Sequence, residues 1–253
     1  MIIMKRIALV AACLLILISL TGCLKIEKSE ETSEGQIQPQ VQIEKVPAAE
    51  AEEEIRIPSV CIREGSSLYK EPGEGFISPL SQGEKLIYLG KKELSKVAGR
   101  ESWNYALVER SDGSTGWTLT DYLAEDAVPG VIVQDAALYS QPSAANLLPN
   151  EKVFVRQIVG VIQDKKYESY FAVRWNIPDT FTVREQYVRT AYVSLKEEDV
   201  AVARLLHIAV NDTNKESQIE QLRIIQSEFP NTSFIMDVEN ALKYVIAGGA
   251  EDE

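Results

Sequence analysis

The chain has 253 residues, 45% hydrophobic and 25% charged, a globular composition and not that of a disordered or fibrous chain. Its 38 Asp and Glu outweigh 26 Lys and Arg, and a formal charge of −12 argues against a protein built to grip nucleic-acid phosphate. One His and three Cys leave little material for a metal site, and no cofactor is expected.

Lys5 and Arg6 precede an apolar run from Ile7 to Leu20, the charged start and hydrophobic core of a secretory signal, short for a membrane span. Leu20-Thr21-Gly22-Cys23 closes it. This tetrapeptide resembles the bacterial lipobox. The resemblance implies a signal peptide over 1–22, a diacylglycerol joined by a thioether to the Cys23 sulfur, and acylation of the freed amino group. Several acyl chains, at about 0.8 kcal/mol per buried methylene, make a firm anchor. The expected location is the bacterial cell envelope, lipid-anchored on the outer side of the cytoplasmic membrane or in the outer membrane, with palmitate labelling as the readout. Cys13 leaves with the signal, and Cys61, inside Val60-Cys61-Ile62, reads as a small buried apolar residue.

Residues 23–58 hold the lipidated Cys and an acidic stretch rich in Glu, Gln, Ser and Ala. Without aromatics it buries too little surface to offset its ordering entropy and reads as a tether.

After Pro58 short apolar or alternating runs are separated by Gly, Pro, Ser and Asp-Gly, the pattern of a small all-β unit. Strands are predicted at Val60–Arg63, Ser67–Lys70, Glu84–Leu89, Trp103–Glu109 and Gly116–Thr118, with a hairpin turn at Ser111-Asp112-Gly113-Ser114. Leu119-Thr120-Asp121-Tyr122-Leu123 predicts one short helical turn. A second unit repeats the plan: Leu68-Tyr69 and Pro72 return as Leu138-Tyr139 and Pro142, Gly83-Glu84-Lys85-Leu86 as Asn150-Glu151-Lys152-Val153, and Tyr105-Ala106-Leu107 as Phe171-Ala172-Val173. Two copies at this spacing are a repeat of whole domains, over 59–125 and 126–195.

Leu68-Tyr69 with Pro72, Gly83-Glu84-Lys85-Leu86, Trp103-Asn104-Tyr105, Gly116-Trp117 and Tyr122-Leu123 together resemble the bacterial SH3-like (SH3b) domains. The second unit departs from that outline, with Ala191-Tyr192-Val193 where Gly-Trp is expected and a longer loop from Asn176 to Arg189. The resemblance implies a mainly β chain: two small SH3-like barrels in tandem, then a short α-helical region. Barrels of this size need bulky aromatics, so Tyr69, Trp103, Tyr105, Trp117 and Tyr122 are candidates both for the core and for a ligand groove. In the second unit Arg156, Lys165, Lys166, Arg174, Arg184 and Arg189 stand near Tyr167, Tyr170 and Trp175; Arg174, Trp175 and Arg184 are its candidate ligand residues, suited to carboxylates of a wall peptide or an anionic polymer.

From Lys196 the pattern turns helical over 196–249, ahead of an acidic tail at 250–253. Glu197-Glu198-Asp199 supplies a negative helix start, Thr213-Asn214-Lys215-Glu216 has the form of a capping box, and a third helix from about Ser233 ends at Gly248-Gly249. These helices are expected to pack on the second barrel or to bind a partner.

A cysteine peptidase needs a thiolate beside an imidazole, and Cys61 and His207 alone are available, the latter reading as a structural histidine in an apolar helix. A zinc amidase needs more His or Cys than the chain holds, and no glycine-rich phosphate loop occurs. The expectation is a non-enzyme whose modules bind peptidoglycan or another envelope protein, or alternatively a scaffold acting through its C-terminal helices.

Overall fold

The computed structural model describes residues 55–95, 102–162, 167–177, 180 and 182–248. The lipobox with Cys23, Cys13, the tether as far as Glu54, Lys165, Lys166 and the acidic tail lie outside the described residues.

The chain is mainly β, with two seven-stranded antiparallel sheets followed by three helices. The first sheet contains β1 (Ile57–Cys61), β2 (Ser66–Glu71), β3 (Glu74–Leu80), β4 (Lys85–Leu94), β5 (Asn104–Arg110), β6 (Thr115–Leu119) and β7 (Leu123–Glu125), in the order β3-β2-β6-β5-β4-β1-β7. The second contains β8 (Ala127–Ile132), β9 (Ala136–Tyr139), β10 (Leu147–Val153), β11 (Ile158–Ile162), β12 (Tyr170–Asn176), β13 (Val183–Arg189) and β14 (Val193–Ser194), in the order β10-β9-β13-β12-β11-β8-β14. Strand for strand, the two orders are the same.

Local chemistry explains several turns. Between β5 and β6, Gly113 adopts φ +82 while the Asp112 carboxylate accepts from the Ser114 amide at 2.9 Å and hydroxyl at 2.6 Å, closing the hairpin. The predicted helical turn is a 3₁₀ turn at Thr120–Tyr122, matched by Thr190–Tyr192 in the second sheet. The strand β3 was not predicted. It is an edge strand with Gly75 and Pro79, exposed along most of its length, so it carries no apolar alternation.

Hydrogen bonds correct the sequence register of the repeat. The Gly83 amide donates to Cys61 O at 2.8 Å and the Glu84 amide to Ser81 O at 3.0 Å; the Arg156 amide donates to Ile132 O at 2.7 Å and the Gln157 amide to Phe154 O at 3.2 Å. Glu64 receives the Gln82 amide, as Asp135 receives that of Val155. The counterpart of Gly83 is therefore Arg156, not Asn150. Likewise Tyr69 pairs with Trp117 as Tyr139 pairs with Tyr187. Tyr187 thus replaces Trp117, whereas Ala191-Tyr192-Val193 corresponds to Asp121-Tyr122-Leu123. Connections of unequal length hid this, because a linear match cannot absorb them.

Each sheet has its own core: Leu68, Leu80, Leu86 and Val108 in the first, Leu138, Val159, Val173 and Trp175 in the second. A third cluster, Val60, Ile62, Ala124 and Ala127, joins them. At that seam a Cβ on Gly160 would stand 2.3 Å from Ala124 Cβ, so only glycine admits the approach.

The helices are α1 (Glu197–Val210), α2 (Lys215–Glu228) and α3 (Ile235–Ile246). The α2 cap is Asn214, whose Oδ1 accepts the Ser217 amide at 2.8 Å, rather than the expected Thr213 box. Val202, Leu206, Leu222, Phe234 and Val238 form one core with Val131 and Ile158, so the helices pack on the second sheet. The charged start of α1 holds a buried carboxylate. Asp199 accepts from Ser194 Oγ at 2.6 Å, Thr232 Oγ1 at 2.8 Å, the Ser233 amide at 2.7 Å and Ser233 Oγ at 2.8 Å. Burial opposes its charge, but these hydrogen bonds win and hold the carboxyl below its ordinary range. No helix among the described residues is long and apolar enough to cross a membrane.

Candidate functional site

A cleft of about 790 Å³ opens where three elements meet. Arg63, Glu64 and Gln82 come from turns of the first sheet, Lys152 to Ile158 and Trp175 to Ile177 from the second, and Ala203, Arg204, His207, Ile208 and Val210 from α1. Arg184 on β13 completes the wall opposite Trp175, its register partner. Cations outnumber anions: Arg63, Lys152, Arg156, Arg184 and Arg204 stand against Glu64.

Two of those cations already hold carboxylates. Lys152 Nζ lies 2.6 Å from Asp135, and Arg184 pairs with Glu151. Lys152, followed by the Val155 amide, keeps the Asp135 carboxyl below the usual carboxylate range. Lys152 also sits 4.7 Å from the centre of the exposed Phe154 ring. Arg63 stacks on Tyr122 at 4.4 Å and donates to its hydroxyl. Arg204 reaches the Gln82 carbonyl only at 3.5 Å. The side chain of Arg156, exposed, makes no hydrogen bond or ion pair with any described residue.

Of the candidates in the second unit, Trp175 and Arg184 reach the cleft, and Arg174 does not. Strand alternation turns Arg174 to the other face, where it opposes Glu185 at 3.8 Å and leaves its buried Nε without a hydrogen-bond partner among the described residues.

The first-sheet aromatics divide. Tyr69 and Tyr105 meet edge to face at 5.9 Å, and Trp117 is the register partner of Tyr69. Tyr105 and Trp117 are buried and Tyr69 half-buried. Trp103 is 41% exposed ahead of β5, and Tyr122 belongs with Arg63. The second sheet repeats the set: Tyr139 and Tyr170 meet edge to face at 5.1 Å, Tyr187 takes the Trp117 place, and Tyr192 that of Tyr122. Tyr139, then Tyr170, steady the Arg189 guanidinium and raise its pKa.

Cys61 is buried in the first core with its thiol toward Arg63 O at 3.3 Å, and burial pushes its pKa up to about 11. His207 is not the core histidine expected from its apolar neighbours. It is exposed on α1 at the cleft, and Asn211 donates to its carbonyl at 2.8 Å. Among the described residues no group of His, Cys, Asp and Glu is placed to hold a metal ion. Arg63 and Arg204 belong to a turn of the first sheet and to α1, outside the second unit, and reach the cleft only through the fold.

No family model and no curated protein matches the chain. Among solved structures, NlpC2 of Trichomonas vaginalis is similar at 16% identity and a TM-score of 0.23, over 62% of this chain and 56% of that one. NlpC1 of the same organism is similar at 14% and 0.24, over 64% and 55%. The chain thus covers little more than half the length of either. Both neighbours bear the NlpC name, and the expectation of a non-enzyme is withdrawn on that finding. The counts of Cys and His bear only on thiolate–imidazole and zinc chemistry; a cleft lined by a carboxylate, an imidazole and guanidinium groups lies outside them. TM-scores this low carry no activity over to this chain.

Proposed function

We propose that the chain is an envelope lipoprotein, anchored through Cys23, whose two sheets are SH3-like modules that bind a cell-wall component, peptidoglycan in the first instance. The shared strand order and the repeated aromatic set support the SH3-like reading. The observation that carries the function is the cationic cleft, in which Phe154 and Ile208 supply apolar surface beside Arg63, Arg156, Arg184 and Arg204. Guanidinium forks of this kind match the carboxylates that a wall peptide presents. The test is cosedimentation of the full chain, in detergent, with isolated peptidoglycan. Binding should place it in the pellet and fade with added salt; a chain left wholly in the supernatant refutes the reading.

A second reading, partner capture by the helices, is favoured by Ile224, Met236, Tyr244 and Ile246, each more than half exposed on α2 and α3. Met236→Lys with Tyr244→Lys should then abolish a crosslinked partner in intact cells and leave peptidoglycan sedimentation unchanged. A partner that persists in this variant refutes it.

A further inference from the structure

The turns Ser81-Gln82-Gly83-Glu84 and Phe154-Val155-Arg156-Gln157 are the same turn used twice, each closed by an amide three residues on and each with its third residue at positive φ. Glycine adopts that conformation without steric cost, and Gly83 has φ +80. Arg156 adopts φ +68, which is unfavourable for a residue with a Cβ. The two turns differ in what lies against them. A Cβ on Gly83 would stand 2.9 Å from Val200 Cγ1, so α1 closes the first turn, whereas the second opens on the cleft.

We infer that Arg156 is the anchoring cation of the cleft and that its ligand is a peptide bearing free carboxylates. This rests on the cleft-binding reading above and deepens it. The backbone accepts strain at Arg156, and the side chain so placed satisfies no described neighbour. Lys152 and Arg184, on the same cleft, already hold the carboxylates of Asp135 and Glu151, so carboxylate is the anion for which these walls are arranged. Phe154, Ile177, Ile208 and Val210 give the ligand apolar surface that a bare inorganic anion would not use.

The experiment is isothermal titration of the full chain in detergent with tetraglutamate and, separately, tripolyphosphate, on the wild type, Arg156→Gly and Arg156→Gln. Thermal melting accompanies each titration. Tetraglutamate should bind the wild type and bind both variants at least roughly tenfold more weakly, the loss of one charge-assisted contact. The melting temperature of Arg156→Gly should stay level or rise, because glycine relaxes the turn. Equal affinity in all three proteins, or no binding by the wild type, overturns the inference. Tighter binding of tripolyphosphate with the same dependence on Arg156 overturns the assignment to a carboxylate peptide. Peptidoglycan sedimentation separates the two readings. If it survives in Arg156→Gly, wall binding stands and this anchor falls. If tetraglutamate binding needs Arg156 while the wild type ignores peptidoglycan, the anchor stands and wall binding falls.

Discussion

Asp199 ties three parts of the chain through one carboxylate: Ser194 at β14, its own helix α1, and Thr232 and Ser233 between α2 and α3. Replacing it by Ala removes the acceptor from four donors. The Thr232 hydroxyl is buried and loses its partner outright, at about 1–3 kcal/mol, while Ser233 is exposed and recovers part of its loss from water. The sum is about 3 kcal/mol, or roughly 6–12 °C in melting temperature for a domain of this size. Asn should cost less, about 1–2 kcal/mol, because its oxygen keeps the Ser233 amide and its NH₂ donates to hydroxyls that can rotate. The pH dependence has a definite sign. A carboxyl whose folded pKa is depressed below its unfolded value near 3.8 stabilises above that value, and the contribution fades as pH falls through the folded pKa. Chemical denaturation from pH 7 down to pH 2 should therefore show a steeper acid limb in the wild type than in Asp199→Asn. If Asp199→Ala lies within about 0.5 kcal/mol of the wild type at pH 7, the four bonds do not work as described.

Other substitutions test other parts of the structure. Gly160→Ala should cost about 2–3 kcal/mol in chemical denaturation, since its Cβ would overlap Ala124 and force the sheets apart. Trp175→Ala should cost about 3–5 kcal/mol by the same measurement, because the ring is buried in the second core. Cys61, its thiol pKa pushed up to about 11, should resist iodoacetamide at pH 8 and react at once in denaturant, as followed by mass spectrometry. Cys23→Ala should lose palmitate label and leave the membrane fraction; retention of either refutes the lipid anchor.

Much of the first sheet was legible because its interior strands alternate and its turns carry Gly or Asp-Gly at the required places. The strand β3 was not, since an edge strand exposed on both faces has no apolar period. The repeat was visible at Leu68-Tyr69 and Leu138-Tyr139, but its register slipped where loops differ, so Tyr187 passed unnoticed. The basic set in the second unit contained the right kind of residue and mixed its faces: adjacent Arg174 and Trp175 point opposite ways, which a chosen strand register would have separated. The cleft itself needs α1, and no pattern in residues 129–195 announces that Arg204 and His207 complete its wall.

The Gly160 seam bears on how the molecule comes apart. Val60, Ile62, Ala124 and Ala127 are buried by both sheets, and Val131 and Ile158 by the helices. Cutting the chain at Asp126, or removing 196–253, would strip cover from the remainder instead of releasing an intact unit. Residues 51–253 should therefore melt as one cooperative transition, with a calorimetric enthalpy equal to the van't Hoff value. What looks in sequence like beads on a string should behave in heat as one body.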